Sequence, residues 1–144
     1  MNDVHMVLGI AVLASNALAG LWGGAFWLRK EPSVVFWYLL RIAQATVVAQ
    51  VLLGLGMLAG GERTPDGLHV VYGLAPLVVT LVSEGMRIGV AQTELAGVSD
   101  LERLERREQA AIARRVVRRE MGVMTVGALL IVTLALRAMA LGSG

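Results

Sequence analysis

The chain has no cysteine, which excludes disulfides, iron–sulfur clusters and thiolate metal sites. It has only two histidines, so any imidazole chemistry falls on His5 and His69. Charged residues make up 17% of the 144 positions, few for a soluble domain. Lys and Arg are missing from the opening MNDVH, where a secretory signal carries a basic segment. The apolar run that follows continues to about Leu28, longer than a signal core, so a spanning helix rather than a cleaved signal is expected. Nucleophile triads, phosphate-binding glycine loops and paired catalytic carboxylates are absent as patterns too, and no catalytic centre of the chain's own is expected.

Apolar residues are what the chain has in abundance. They make up 56% of it, with a mean hydropathy of +0.68, the composition of an integral membrane protein. Four segments approach the roughly 20 residues that cross hydrocarbon: about 4–28, 34–59, 68–88 and 121–141. The expected fold is all-α, a single membrane-embedded four-helix bundle with a long cytoplasmic extension of the third and fourth helices. In the first span Gly20, Gly23 and Gly24 permit close helix approach. Trp22, Phe26 and Trp27, with Phe36, Trp37 and Tyr38 after the short Arg29–Ser33 turn, read as an interfacial aromatic belt. Ser99–Glu102 has the form of a capping box, and 100–120 contains no Gly or Pro. A charged helix is therefore expected there, within an insertion at about 89–120 and continuous with the fourth span.

Basic residues orient the bundle. Of the 13 Lys/Arg, seven lie between Arg103 and Arg119, and Arg29 and Lys30 occupy the first connection, against Arg63 alone in the second. The positive-inside rule makes the first and third connections cytoplasmic and leaves both termini outside. Glu102, Glu105, Glu108 and Glu120 interrupt the arginine run, which argues against nucleic acid as its partner. A self-paired, solvated face is expected instead, with Arg114, Arg115, Arg118 and Arg119 attracting anionic lipid beside the bilayer.

The most informative stretch is Leu68–Arg87. His69, Gly73, Pro76, Thr80, Ser83, Glu84 and Arg87 recur along it at helical spacing, a polar or small stripe that lipid would not tolerate. Its opening repeats the start of the chain. His5-Met-Val-Leu-Gly9-Ile-Ala11-Val-Leu13 and His69-Val-Val-Tyr-Gly73-Leu-Ala75-Pro-Leu77 share five of nine residues, 64 positions apart. Thr46-Val47-(x)-Ala49 and Thr125-Val126-(x)-Ala128 extend the likeness. Two copies of one helical hairpin, related by a pseudo-two-fold axis along the membrane normal, would place the first and third helices, and both histidines, opposite each other.

Two imidazoles on facing helices, each followed four residues later by Gly9 or Gly73, suit the axial pair of a haem b. Arg137 near the outer end of the fourth span, or Arg63 in the outer loop, would meet a propionate. The pattern resembles the membrane cytochromes that bind haem between paired helical hairpins, the b561-type and haem A synthase-like families. That resemblance rests on His5-x-x-x-Gly9, His69-x-x-x-Gly73 and the four spans, and it implies an electron carrier or a subunit of a redox assembly. Those families often hold two haems; two histidines in all supply one axial pair. A copper reading competes, with Met6, Met57 and Met139 as soft ligands beside the histidines.

At the inner end Arg41, Gln44, Glu84 and Arg87 form either a structural ion-pair cluster or a quinone or lipid-headgroup site, and pairing is favoured because snorkelling is open to them. Asn16 and Gln50 would bridge helices or line a small pocket. The alternative to a cytochrome is a non-catalytic scaffold that assembles with itself or other chains through Leu101, Leu104 and Ile112 of the cytoplasmic helix.

Overall fold

Long apolar runs in this chain become long helices. The structure, a computed structural model, describes residues 2–62, 67–98 and 101–142. α1 spans Asn2–Arg29, α2 Val34–Ala59, α3 Gly67–Leu95 and α4 Arg106–Gly142, with a short 3-10 turn at Leu101–Arg103. No strand occurs among the described residues. All four helices are long and apolar enough to cross a membrane. Their outward faces carry large bare side chains, such as Leu21, Leu28, Leu52 and Leu81, that water would expel and lipid accepts. The bundle is that of an integral membrane protein.

α1 packs against α2 and α4, α3 packs most broadly against α4, and α2 meets α3 along a narrower strip. α1 and α3 therefore stand on one diagonal of the bundle. Its interior has three layers. Val12, Val47, Ile131 and Ala135 form the one nearer the histidines. Ala19, Ala43 and Ala128 form a thin middle layer. Phe36, Leu40, Met121 and Met124 fill the wide layer nearer the arginines.

Small residues set the helix spacing. A Cβ on Gly23 would overlap the Phe36 ring and the Thr125 hydroxyl, and one on Gly20 would lie 2.6 Å from Leu129 Cδ2. A larger residue at Gly23 would push against both Phe36 and Thr125, whereas at Gly20 the Leu129 side chain would have to shift. Gly24 differs, because its nearest neighbour would be 3.8 Å away. Phe36 was expected in an interfacial belt, yet it is fully buried, since the hole above Gly23 accepts its ring. The α1–α2 turn is tied by Ser33, whose hydroxyl accepts from the Phe36 backbone N–H (3.2 Å) and from Trp22 Nε1 (3.0 Å).

The second half departs from the expected boundaries. α3 does run on past its apolar span as expected, ending at Leu95, seven residues beyond Ile88. α4 begins at Arg106 rather than near 100, and the expected capping residues Ser99 and Asp100 lie outside the described residues. The start is fixed by Glu108, whose carboxylate accepts the Glu105 N–H at 3.3 Å. Gln109 Nε2 also donates to the carbonyls of Leu101 (2.7 Å) and Leu104 (3.2 Å), tying the turn to the helix. From Arg106 the helix continues unbroken through its apolar part, as expected, for 37 residues. At 1.5 Å per residue it is about 55 Å long. Its first turns and the end of α3 form a charged antiparallel hairpin beyond the apolar bundle.

Candidate functional site

All four helices meet at one end around the two histidines. His5 stands in the second turn of α1 and His69 in the first turn of α3. Their ring centroids are 6.0 Å apart and the ring planes are tilted by 56°. The diagonal placement of α1 and α3 puts both side chains at the bundle axis. His69 Nδ1 lies 3.1 Å from the Ala138 carbonyl of α4, which can only accept. Nδ1 therefore carries a proton, and in a neutral ring Nε2 would carry the lone pair. A backbone carbonyl holding the far nitrogen in this way is the usual support of a metal-binding imidazole.

His5 is held from α2. Gln50 Nε2 donates to His5 Nε2 at 3.3 Å, which assigns the proton to His5 Nδ1. That assignment strands two buried atoms, His5 Nδ1 and Gln50 Oε1, without any hydrogen-bond partner. Turning the amide by half a turn would let Oε1 accept from His5 Nε2–H and leave Nδ1 a bare lone pair. Either way one imidazole nitrogen of His5 faces an environment that offers it nothing. The ring lies beside Gly54, where an added Cβ would come to van der Waals distance, 3.4 Å, from His5 Cε1.

The 6.0 Å centroid spacing can be set against that of two imidazoles on one ion. With metal–nitrogen distances of about 2.0–2.1 Å, a shared ion holds two imidazole centres roughly 6 Å apart. Among the described residues no cluster of three or more His, Asp or Glu forms a protein-only metal cage. An axial pair with the remaining positions filled by a macrocycle needs only two.

The other predicted residues fall as follows. Gly73 opens onto free space, with nothing within 4 Å of an added Cβ, whereas Gly9 is backed by Gln50 Nε2 at 3.5 Å. Arg137 is exposed at the same end, one residue before the carbonyl that holds His69. Arg63 lies outside the described residues. Of the candidate copper ligands, Met6 and Met139 are exposed and Met57 is half-buried. Asn16 is buried but donates to Val12 O of its own helix at 2.9 Å. Gln50 does bridge helices, and the sequence did not tell that its partner would be His5.

At the opposite end Glu84 uses both of its carboxylate oxygens. Glu84 Oε1 accepts from Arg41 Nη1 (2.6 Å) and Gln44 Nε2 (2.7 Å), and its Oε2 accepts from Arg87 Nε (2.8 Å). Arg87 also reaches Glu120 at 3.7 Å and stacks over the Trp37 ring at 5.8 Å. The cluster foreseen from the sequence thus gains Glu120 and Trp37 and ties α2, α3 and α4 together. Beyond it, Glu94 of α3 pairs with Arg119 (2.7 Å) and Arg115 (3.7 Å) of α4. The ion pairs of the arginine run therefore cross between helices, where pairing along one helix was expected. Ile112, expected as an outward contact, is buried within this hairpin.

Comparison with known protein families, curated proteins and solved structures found no match.

Proposed function

We propose that the protein is a small membrane b-type cytochrome, holding one haem between His5 and His69 and serving as an electron carrier or a subunit of a larger redox assembly. The observation that carries this reading is the 6.0 Å ring pair at the bundle axis, with His69 fixed on the Ala138 carbonyl. A bound haem supplies reversible one-electron transfer, its potential set by its ligands and by burial. The chain's own residues would set the geometry. Ala138 O orients His69, Gln50 orients His5, Gly73 leaves room beside the α3 backbone, and Gly9 thins the α1 wall. Arg137 is placed to meet a propionate at the rim.

The reading includes the duplicated hairpin, with α1–α2 and α3–α4 as its two copies. It also includes the orientation, with the histidine end outside and the charged hairpin in the cytoplasm. Nine bases in the first and third connections against one in the second support that orientation. A reporter fused after Gly144 should be active only outside the cytoplasm; activity confined to the cytoplasm would invert the topology.

The deciding experiment is a visible spectrum of the detergent-solubilised protein. A Soret band with reducible α and β bands is expected, and His5→Ala and His69→Ala should each abolish the low-spin form. A colourless, folded protein after supplementation with haemin would overturn the cytochrome. It would favour instead a non-catalytic scaffold, a reading supported by Leu101, which is 39% exposed beside the charged hairpin.

A further inference from the structure

The basic residues at the arginine end fall into two groups that the sequence does not separate. Arg41, Arg87, Arg115 and Arg119 are all ion-paired with Glu84, Glu94 or Glu120. Arg29, Lys30, Arg114 and Arg118 make no ion pair among the described residues, and all four are exposed. Arg29 only stacks over the Phe26 ring, at 5.8 Å.

The register of α1 against α4 sets the heights of the unpaired group. Gly122 of α4 abuts Trp27 of α1, where an added Cβ would be 2.9 Å from Trp27 Cε2. One turn back from Gly122, Arg118 therefore stands about level with Arg29, the last residue of α1, and with Lys30 just after it. Arg114 is one turn higher. Arg114 and Arg118 also share a helical phase with Thr125, which is buried against Gly23 of α1. They continue the α1-facing side of α4 beyond the point where α1 has ended. Below them Lys30 adopts the left-handed conformation (φ 61), closing α1 with Lys30 N–H on Trp27 O and Glu31 N–H on Phe26 O, both 3.1 Å. Glycine is the low-cost residue at such a cap. Lysine there keeps a cation at this spot. Exposed Glu31 is the sole acid of the turn.

We propose that Arg29, Lys30, Arg114 and Arg118 bind the phosphate of an anionic phospholipid at the end of the bundle. The four cations lie just past the apolar ends of α1 and α4, near Leu28 and Met121, at the depth of lipid headgroups. Unpaired guanidinium groups one turn apart suit a phosphodiester, which accepts several charge-assisted hydrogen bonds at once. Arg106 and Arg107 are also unpaired among the described residues. They stand about 16 Å (Arg107) and about 18 Å (Arg106) above Arg118, counting 1.5 Å per residue, beyond headgroup reach. This site does not depend on the haem reading.

The test counts lipids retained by the full-length protein in native mass spectrometry from a mild non-ionic detergent. Phosphatidylglycerol and phosphatidylcholine of the same acyl chains are titrated in parallel. Wild type should retain the anionic lipid about tenfold more strongly than the zwitterionic one, and Arg114→Gln/Arg118→Gln should abolish most of that preference. Arg106→Gln/Arg107→Gln removes the same charge from the same helix and should change it less than about twofold. Arg114→Lys/Arg118→Lys should keep most of it, and unaltered thermal melting would show that each variant folds. Equal loss in both glutamine variants would overturn the site in favour of diffuse charge. So would absence of any preference, or full displacement of the lipid by millimolar inorganic phosphate, which would mark a site for free phosphate. Displacement by an acidic peptide at lower concentration than the lipid would likewise overturn it, in favour of a protein partner.

Discussion

The two ends of this bundle treat buried polarity in opposite ways. At the arginine end, Glu84 is met by three donors from two helices, Glu120 also reaches Arg87, and Glu94 takes up Arg115 and Arg119. At the histidine end two imidazoles and one amide are brought together, and two of their atoms remain without partners. Networks that satisfy every group hold helices in register and have no valence left for a ligand. An under-satisfied cluster is costly to bury and persists where something else completes it. The contrast makes the arginine cluster structural and the histidine cluster the candidate site.

Substitutions sharpen that contrast, beginning with the largest effect. Glu84→Ala strands Arg41, Arg87 and Gln44 together, and should cost about 3 kcal/mol of stability in detergent unfolding. A loss below about 1 kcal/mol would mean that the cluster does not hold the helices. Gly23→Ala tests the packing between the two ends. Its methyl overlaps the Phe36 ring and Thr125, and overpacking of this kind should cost about 2 kcal/mol. An unchanged melting temperature would show that α1 and α4 are not in tight contact there. Gln50→Leu should have the smallest effect on stability, within about 1 kcal/mol of wild type, because it exchanges an incompletely bonded amide for an apolar group. It should nonetheless alter the position or occupancy of the haem band. A large destabilisation with an unchanged spectrum would make Gln50 a structural residue.

Much of the scaffold was legible beforehand. The second span was read as 34–59 and α2 is Val34–Ala59, because its ends are marked by a serine cap and a glycine pair. The facing of His5 and His69 followed from the repeated HxxxG spacing, and their rings do meet. The ends of the charged hairpin were less legible. Ser99-x-x-Glu102 looked like the start of a helix, but Glu105 and Glu108 cap α4 and leave only a 3-10 turn at Leu101–Arg103. Two overlapping capping patterns compete locally, and the fold of the turn selects one.

Sequence by itself determined that this chain forms four membrane-length helices, that one face of the third is polar, and that two histidines lie at the same end. Each of these depends on runs and periods within a single helix, where position along the chain sets position in space. Only the tertiary structure decided that Gln50 and the Ala138 carbonyl support the histidines, that Glu94 pairs with Arg115 and Arg119, and that Arg114 and Arg118 make no ion pair among the described residues. Those pairings join residues 21 to 69 positions apart on different helices. Their partners are chosen by the rotation and register of one helix against another, which packing at Gly20, Gly23 and Gly122 sets and helical periodicity alone does not encode.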